Sequence, residues 1–193
     1  MRSLLPAIAL LVATGIPCHL PGQDLAAAPP PATLLPNISE LRAALIGSWV
    51  GTLEYRDYSE PATSTKRVKL PTWLRVEPAG EDLNFRYRYD DGPSKIVTEI
   101  SVIRIDSEKN RYSILDRNGK LEDSYTVAGF SQLRQGHGIL TLTGTGSENK
   151  AAVDVRTTIR IGRNILEITR ETAASGQPFT FRHSYTLVRE VPS

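Results

Sequence analysis

Apolar and polar residues alternate along most of the chain after Gly47 with the period of two that is typical of β-strands. The segment 83–89 places a leucine and three aromatic residues on one face, with arginines on the other. The segment 179–189 repeats the pattern, with one face made of Phe179, Phe181, His183, Tyr185 and Leu187. These apolar, aromatic faces are predicted to point inward.

About ten such segments follow one another, separated by turn sequences such as Asn118-Gly119. They run over 49–58, 66–77, 83–89, 95–105, 111–116, 121–128, 138–145, 152–161, 165–171 and 179–189. No gap is long enough for a crossover helix, so neighbouring strands are expected to pair antiparallel. The pattern predicts an all-β fold, an antiparallel up-and-down barrel of about eight to ten strands, with a flat sandwich as the alternative closure.

One short helix is predicted before the first strand. Ile38, Leu41 and Leu45 recur at helical spacing behind an Asn/Ser cap, and Gly47 stands where a helix would end. The helix and the strands make one domain, 37–193, because the remaining length suits a single core.

The N-terminal 36 residues have a different composition. Arg2 and the apolar stretch that follows it resemble a cleavable signal peptide, predicted over 1–28, and the stretch is too short to span a membrane as a helix. A proline- and alanine-rich spacer, 29–36, leads into the domain. We therefore expect a secreted or periplasmic protein, cleaved between Gly22 and Ala28, with lipidation of Cys18 as the alternative to its removal with the signal.

Charge and residue types narrow the classes of function. A formal net charge of +2 is too balanced to indicate nucleic-acid binding. The histidines and the single cysteine have no metal-ligand spacing, and no serine stands in a nucleophile motif. The sequence predicts no membrane span, no metal site and no catalytic residue, and a monomer is expected.

Gly47-Ser48-Trp49, placed between the helix and the first strand, resembles the Gly-x-Trp motif of lipocalins and their relatives in the calycin superfamily. That resemblance implies a tryptophan packed across the closed end of a barrel, near an arginine of the last strand. Arg182 and Arg189 are the candidates here. The alternative is that Trp49 is simply a core residue.

His183 draws attention because the alternation places it among inward aromatic residues. Nitrobindin-like proteins are also calycin-type barrels, and this chain is similar to them in having a histidine near the C-terminus, which they use to hold haem. The resemblance implies haem as an alternative ligand, although no cofactor is expected. A hydrogen-bonded interior histidine, or a shift in register that turns it outward, is the structural alternative.

The leading functional hypothesis is an exported barrel that binds a small apolar molecule in its interior. His183 and Tyr185 are the expected polar anchors, and the expected walls and rim are Phe85, Tyr87, Phe179, Phe181 and Tyr55. A small enzyme with an interior acid or base is the alternative, which rests on fold analogy. A third possibility is a structural module whose barrel is filled by its own side chains.

Overall fold

The structure is a computed structural model that describes residues 38–61, 64–148 and 150–191. The predicted signal peptide, the spacer and Cys18 lie outside the described residues. A short helix precedes ten antiparallel strands, and these form a closed barrel in which consecutive strands pair and the last strand pairs with the first. The all-β up-and-down barrel predicted from the alternation is thus confirmed.

The bounds of the elements agree with the predicted segments to within a few residues. They are α1 Ile38–Leu45, β1 Gly47–Arg56, β2 Arg67–Ala79, β3 Asp82–Asp90, β4 Ile96–Asp106, β5 Arg111–Leu115, β6 Leu121–Ala128, β7 Gly138–Glu148, β8 Ala151–Ile161, β9 Ile165–Ala173 and β10 Thr180–Arg189. A 3₁₀ turn, Phe130–Gln132, lies between β6 and β7.

The inward positions of the strands form one apolar core. On β8, for example, Val155, Ile159 and Ile161 are buried, while the arginines between them face outward. Hairpin turns set the register of these faces. At Asn118-Gly119 the glycine has φ +80°, a left-handed conformation that glycine adopts without strain, and Asp116 accepts backbone hydrogen bonds across the turn.

Helix α1 covers one end of the barrel. Leu41 of this helix is fully buried, and Trp49 is 1% exposed with its Nε1 donating to the Leu45 carbonyl oxygen at 2.9 Å. The 3₁₀ turn adds the buried Phe130 to the same end. We call this the closed end; the loops joining β1 to β2, β3 to β4, β5 to β6, β7 to β8 and β9 to β10 lie at the opposite, open end.

Arg189, at the end of β10, ties helix α1 to the closed end. Its guanidinium lies 4.1 Å from the Trp49 ring centre and donates to the carbonyl oxygens of Ala44 at 2.6 Å and Ile46 at 2.7 Å. Gly47 has φ +136°, and a Cβ at this position would lie 2.6 Å from Arg189 Nη1. The glycine is needed both for its backbone conformation and for the room it leaves the guanidinium.

The wall of the barrel is incomplete beside β5. This strand has five residues and pairs with only Val102–Asp106 of β4, so that β4 residues 96–101 have no strand partner on that side among the described residues. Ile96 and Val97 are 49% and 39% exposed. The next strand, β6, pairs with β7 through only three residues of each. The β5–β6 hairpin is therefore flanked by gaps toward the open end.

A β-bulge interrupts β10. The register against β9 shifts between Phe181, opposite Glu171, and His183, opposite Arg170. The prediction that Phe179 and Phe181 share the inward face of His183 is therefore wrong. Their rings lie under the guanidinium groups of Arg156, at 4.4 Å, and Arg67, at 4.7 Å. The inserted residue reverses which side chains of the strand face inward, so the residues before the bulge lie on the opposite face from the one predicted.

Candidate functional site

A cavity of about 360 Å³ occupies the barrel between its core and the open end. Binding sites for small molecules commonly have volumes of about 300–1,000 Å³, so the volume of this cavity suits a small ligand. It is lined by Leu53, Phe85, Tyr87, Tyr89, Glu99, Ser101, Ile103, Tyr112, Ile114, Tyr125, Leu142, Thr157, Ile159, Ile168, Arg170, His183 and Tyr185. The interior is thus not filled by its own side chains, contrary to the third possibility raised above.

Apolar side chains form the floor of the cavity toward the closed end. Phe85 and Ile103 are 4% and 3% exposed, and Leu142 and Ile159 face them from β7 and β8. Each strand alternates, so the same segments that supply this floor put arginine and threonine on the outer surface. An apolar body of a ligand would replace water in contact with these side chains, which is favourable in proportion to the area covered.

Tyrosines from β3 and β10 form a hydrogen-bonded cluster on one wall. Tyr89 Oη donates to Glu99 Oε2 at 3.2 Å and lies 3.0 Å from Tyr185 Oη. The single Tyr89 proton is used by Glu99, so Tyr185 is the donor to Tyr89. The Tyr87 ring packs on Tyr185 with centres 5.0 Å apart. Burial raises the pKa of Tyr185 to about 12 and raises that of Tyr89 further, so both stay protonated at neutral pH.

His183 lies beside this cluster on β10. It is opposite Tyr55 on β1 and Arg170 on β9, and its ring meets the Tyr185 ring edge-on at 5.5 Å. Burial, helped by the positive charges of Arg170 and Arg182, lowers the pKa of His183 to about 4. The imidazole is therefore uncharged at neutral pH. Within the described part of the chain it has no hydrogen-bond partner.

Arg170 brings a positive charge into the cavity from β9. In register it lies between Thr157 on β8 and His183 on β10, and its guanidinium is 5.6 Å from the centre of the Tyr125 ring. Tyr125 comes from β6 and is 2% exposed. The Tyr125 ring packs closely against Gly144 of β7, where a Cβ would lie 2.8 Å from Tyr125 Cδ1, so the glycine leaves room for this ring. Burial raises the pKa of Tyr125 to about 12.

An ion-pair cluster marks the rim above the cavity. Glu148 contacts Arg182 and lies 3.8 Å from Arg56, and it accepts a hydrogen bond from the Thr172 hydroxyl at 2.9 Å. Tyr58 packs between the two guanidinium groups, at 4.8 Å and 4.3 Å. These contacts join β1, β7, β9 and β10 at the open end, and the single carboxylate of Glu148 is shared by both guanidinium groups.

Four of the seven residues predicted to bind a ligand line the cavity: Phe85, Tyr87, His183 and Tyr185. Phe179 and Phe181 are displaced by the bulge, and Tyr55 follows Leu53 on β1 but lies outside the lining. Of the two arginines considered as the partner of Trp49, Arg189 takes that position and Arg182 belongs to the rim.

The prediction missed the two charged residues of the cavity, Glu99 and Arg170, and several hydroxyl-bearing ones, among them Tyr89 and Tyr125. The sequence does indicate that Arg170 faces inward, because it shares a face with Leu166 and Ile168. Glu167 and Thr169, which alternate with these residues, lie on the other face.

No group of three or more His, Cys, Asp or Glu side chains within the described ranges of the chain is placed to hold a metal ion. No helix in the same ranges is both long and apolar enough to cross a membrane.

Comparison with known proteins shows a similar fold among solved structures. No family model matches the chain, and no curated protein matches it significantly. The crystal structure of Rv2717c from M. tuberculosis is similar with a TM-score of 0.51, over 79% of this chain and 98% of that one, at 14% sequence identity. At this identity the likeness shows a shared fold, and the site has to be interpreted from its own residues.

Proposed function

We propose that this protein binds a small, largely apolar molecule inside the barrel. The observation that carries the proposal is the cavity of about 360 Å³, with an apolar floor and a few polar groups on its upper walls. This combination is typical of small-molecule sites, in which apolar contacts supply affinity and a few polar groups fix orientation. We also propose that the protein is exported, as expected from the N-terminal sequence, and that it binds its ligand outside the cytoplasm.

Binding fits the site better than acid–base catalysis. An efficient general acid or base has a pKa near the working pH. The pKa of His183 is lowered to about 4 and that of Tyr185 is raised to about 12, so both move away from neutrality. Among the cavity residues these two groups therefore favour a recognition role over proton transfer.

Haem is the second candidate, and His183 is the observation in its favour. An uncharged imidazole on a cavity wall is a suitable ligand for iron. Against it stands the size of the cavity, since 360 Å³ corresponds to roughly a dozen water molecules of liquid volume. A haem, with its four pyrrole rings and two propionates, is larger than this volume. An absorption spectrum of the protein after incubation with haemin tests this candidate: a Soret shift that His183→Ala removes would favour it over the small ligand.

A neutral fluorescent probe tests the proposal directly. N-phenyl-1-naphthylamine is expected to bind with saturable fluorescence enhancement at one site per chain. Ile168→Trp should weaken this binding at least tenfold, because the larger side chain fills the cavity from the wall that Ile168 lines. An enhancement that does not saturate in the wild type, or that survives Ile168→Trp unchanged, would contradict the proposal.

A matched control is available on the same strand. Thr169 lies next to Ile168 on β9 and points outward, opposite Thr158 and Ser184. Thr169→Trp adds the same aromatic side chain outside the barrel, so it should leave probe binding unchanged. Equal loss in both variants would show that the added tryptophan acts through the fold and not through the cavity.

A further inference from the structure

A row of hydrogen-bond donors crosses three neighbouring strands at one level of the cavity. Arg170 lies in register with Thr157 on one side and His183 on the other, and all three line the cavity. Tyr125 reaches the same level from β6, where its ring lies beneath the Arg170 guanidinium. Side chains of four strands therefore present donors to one small volume.

Two of these donors lack a counterpart among the residues that the structure describes. Arg170 forms no ion pair with a carboxylate in the described part of the chain, whereas Arg182, beside His183 on the neighbouring strand β10, is paired with Glu148. The Tyr125 hydroxyl is buried and makes no well-formed hydrogen bond within the described residues. Asp123 and Arg170 lie close enough to shift its pKa in opposite directions, but no hydrogen bond of good geometry joins either of them to the hydroxyl. Buried polar groups are nearly always paired, so an unpaired hydroxyl beside an unpaired guanidinium indicates a missing acceptor.

We propose that the ligand is a small carboxylic acid whose carboxylate binds Arg170 and the Tyr125 hydroxyl. The inference rests on the proposed binding function and specifies the class of ligand. A guanidinium offers two parallel N–H donors that match the two oxygens of a carboxylate, and a hydroxyl can donate to the same oxygen from the side. The apolar body of the acid would extend from this level along Ile168 and Ile159 toward the floor.

The other charge in the cavity supports this orientation. Glu99 lines the opposite wall and accepts a hydrogen bond from Tyr89, so its charge repels a second carboxylate there. His183 is uncharged at neutral pH, which leaves Arg170 as the positive charge among the cavity-lining residues. The acid group is therefore directed to the side of the cavity formed by β8 and β9.

Two compounds of nearly equal shape test the inference. 2-Naphthoate and 2-naphthamide differ in the carboxylate, and both are small enough for the cavity. Calorimetric titration of the wild type should give at least tenfold tighter binding of the naphthoate. Arg170→Gln should weaken naphthoate binding roughly 10- to 100-fold, the value of a charge-assisted hydrogen-bonded pair, and leave naphthamide binding within about twofold. Tyr125→Phe should weaken naphthoate binding by a smaller factor.

Arg160→Gln is the matched control, since Arg160 lies on the outer face of β8 and pairs with Glu167. It should change neither affinity. If naphthoate and naphthamide bind the wild type equally, the carboxylate inference is wrong while the proposed binding function stands. If naphthoate and naphthamide both fail to bind while N-phenyl-1-naphthylamine binds, the carboxylate inference is again wrong and the proposed binding function stands. If none of these three compounds binds, both proposals are wrong. The wild-type comparison decides the matter even if Arg170→Gln does not fold.

Discussion

Arg189→Ala is expected to destabilise the closed end of the barrel. The substitution removes two short hydrogen bonds to the carbonyl oxygens of Ala44 and Ile46, a longer one at 3.2 Å to the carbonyl oxygen of Arg163, and the stacking on Trp49. The carbonyl groups at the end of helix α1 then lose their partner at the closed end of the barrel.

The magnitude follows from these contacts. Hydrogen bonds from a charged donor are worth about 1.5 kcal/mol at the lower end of their range, and a partly exposed cation–π contact adds about 0.5–1 kcal/mol. Two strong bonds and the ring contact then give about 3–4 kcal/mol, and water reaching the freed carbonyls reduces the expected loss to about 3 kcal/mol. Arg189→Lys should lose about half as much, because an ammonium cannot serve both carbonyls and stack on the ring.

The assay is urea unfolding followed by far-ultraviolet circular dichroism. Arg160→Ala serves as the control, because it breaks an exposed pair with Glu167, at 3.0 Å, and should cost less than about 1 kcal/mol. Gly47→Ala completes the test: its Cβ would meet Arg189, so its penalty should fall by about 1 kcal/mol in the Arg189→Ala background. A free energy of unfolding for Arg189→Ala within about 0.5 kcal/mol of the wild type would show that these contacts do not stabilise the closed end.

Two further predictions concern His183 and the N-terminus. The pKa of His183 is about 4 in the folded protein and about 6.5 when unfolded, so below pH 6.5 the unfolded chain takes up the proton first and stability falls until about pH 4. At pH 5 this amounts to about 2 kcal/mol relative to pH 8, and His183→Gln should lack that part of the loss in urea titrations; equal losses would contradict it. After expression with its own leader in a bacterial host, mass spectrometry of the exported protein should find a first residue between 23 and 29, and an intact Met1 in that fraction would argue against a cleaved signal.

The sequence predicts the fold well, because a period of two leaves little choice about which side chains of a strand share a face. The closed barrel, the entry at Gly47 and the inward position of His183 all follow from that period and from the short connections. Alternation does not show where a strand gains a residue. The bulge before His183 leaves no recognisable mark in the segment 179–183, so the positions of Phe179 and Phe181 could not be predicted.

The polar part of the site was harder to predict for a different reason. Arginine and glutamate on a strand usually face water, and the outward Arg86 and Arg160 follow that rule. Arg170 breaks it because it faces the cavity from β9, whereas Glu99 both lines the cavity and is exposed on the part of β4 that does not pair with β5. Cavity volume arises from strand number and stagger, which no local pattern encodes.

The five-residue length of β5 has a kinetic consequence. Glu99 and Ser101, on the part of β4 that lacks a partner beside β5, line the cavity, and Glu99 is exposed. A ligand leaving between β4 and the β5–β6 hairpin would break no backbone hydrogen bond of the barrel. Residence times would then be set by contacts with the ligand itself and not by local unfolding of the wall, so that exchange can be fast even when the fold is stable.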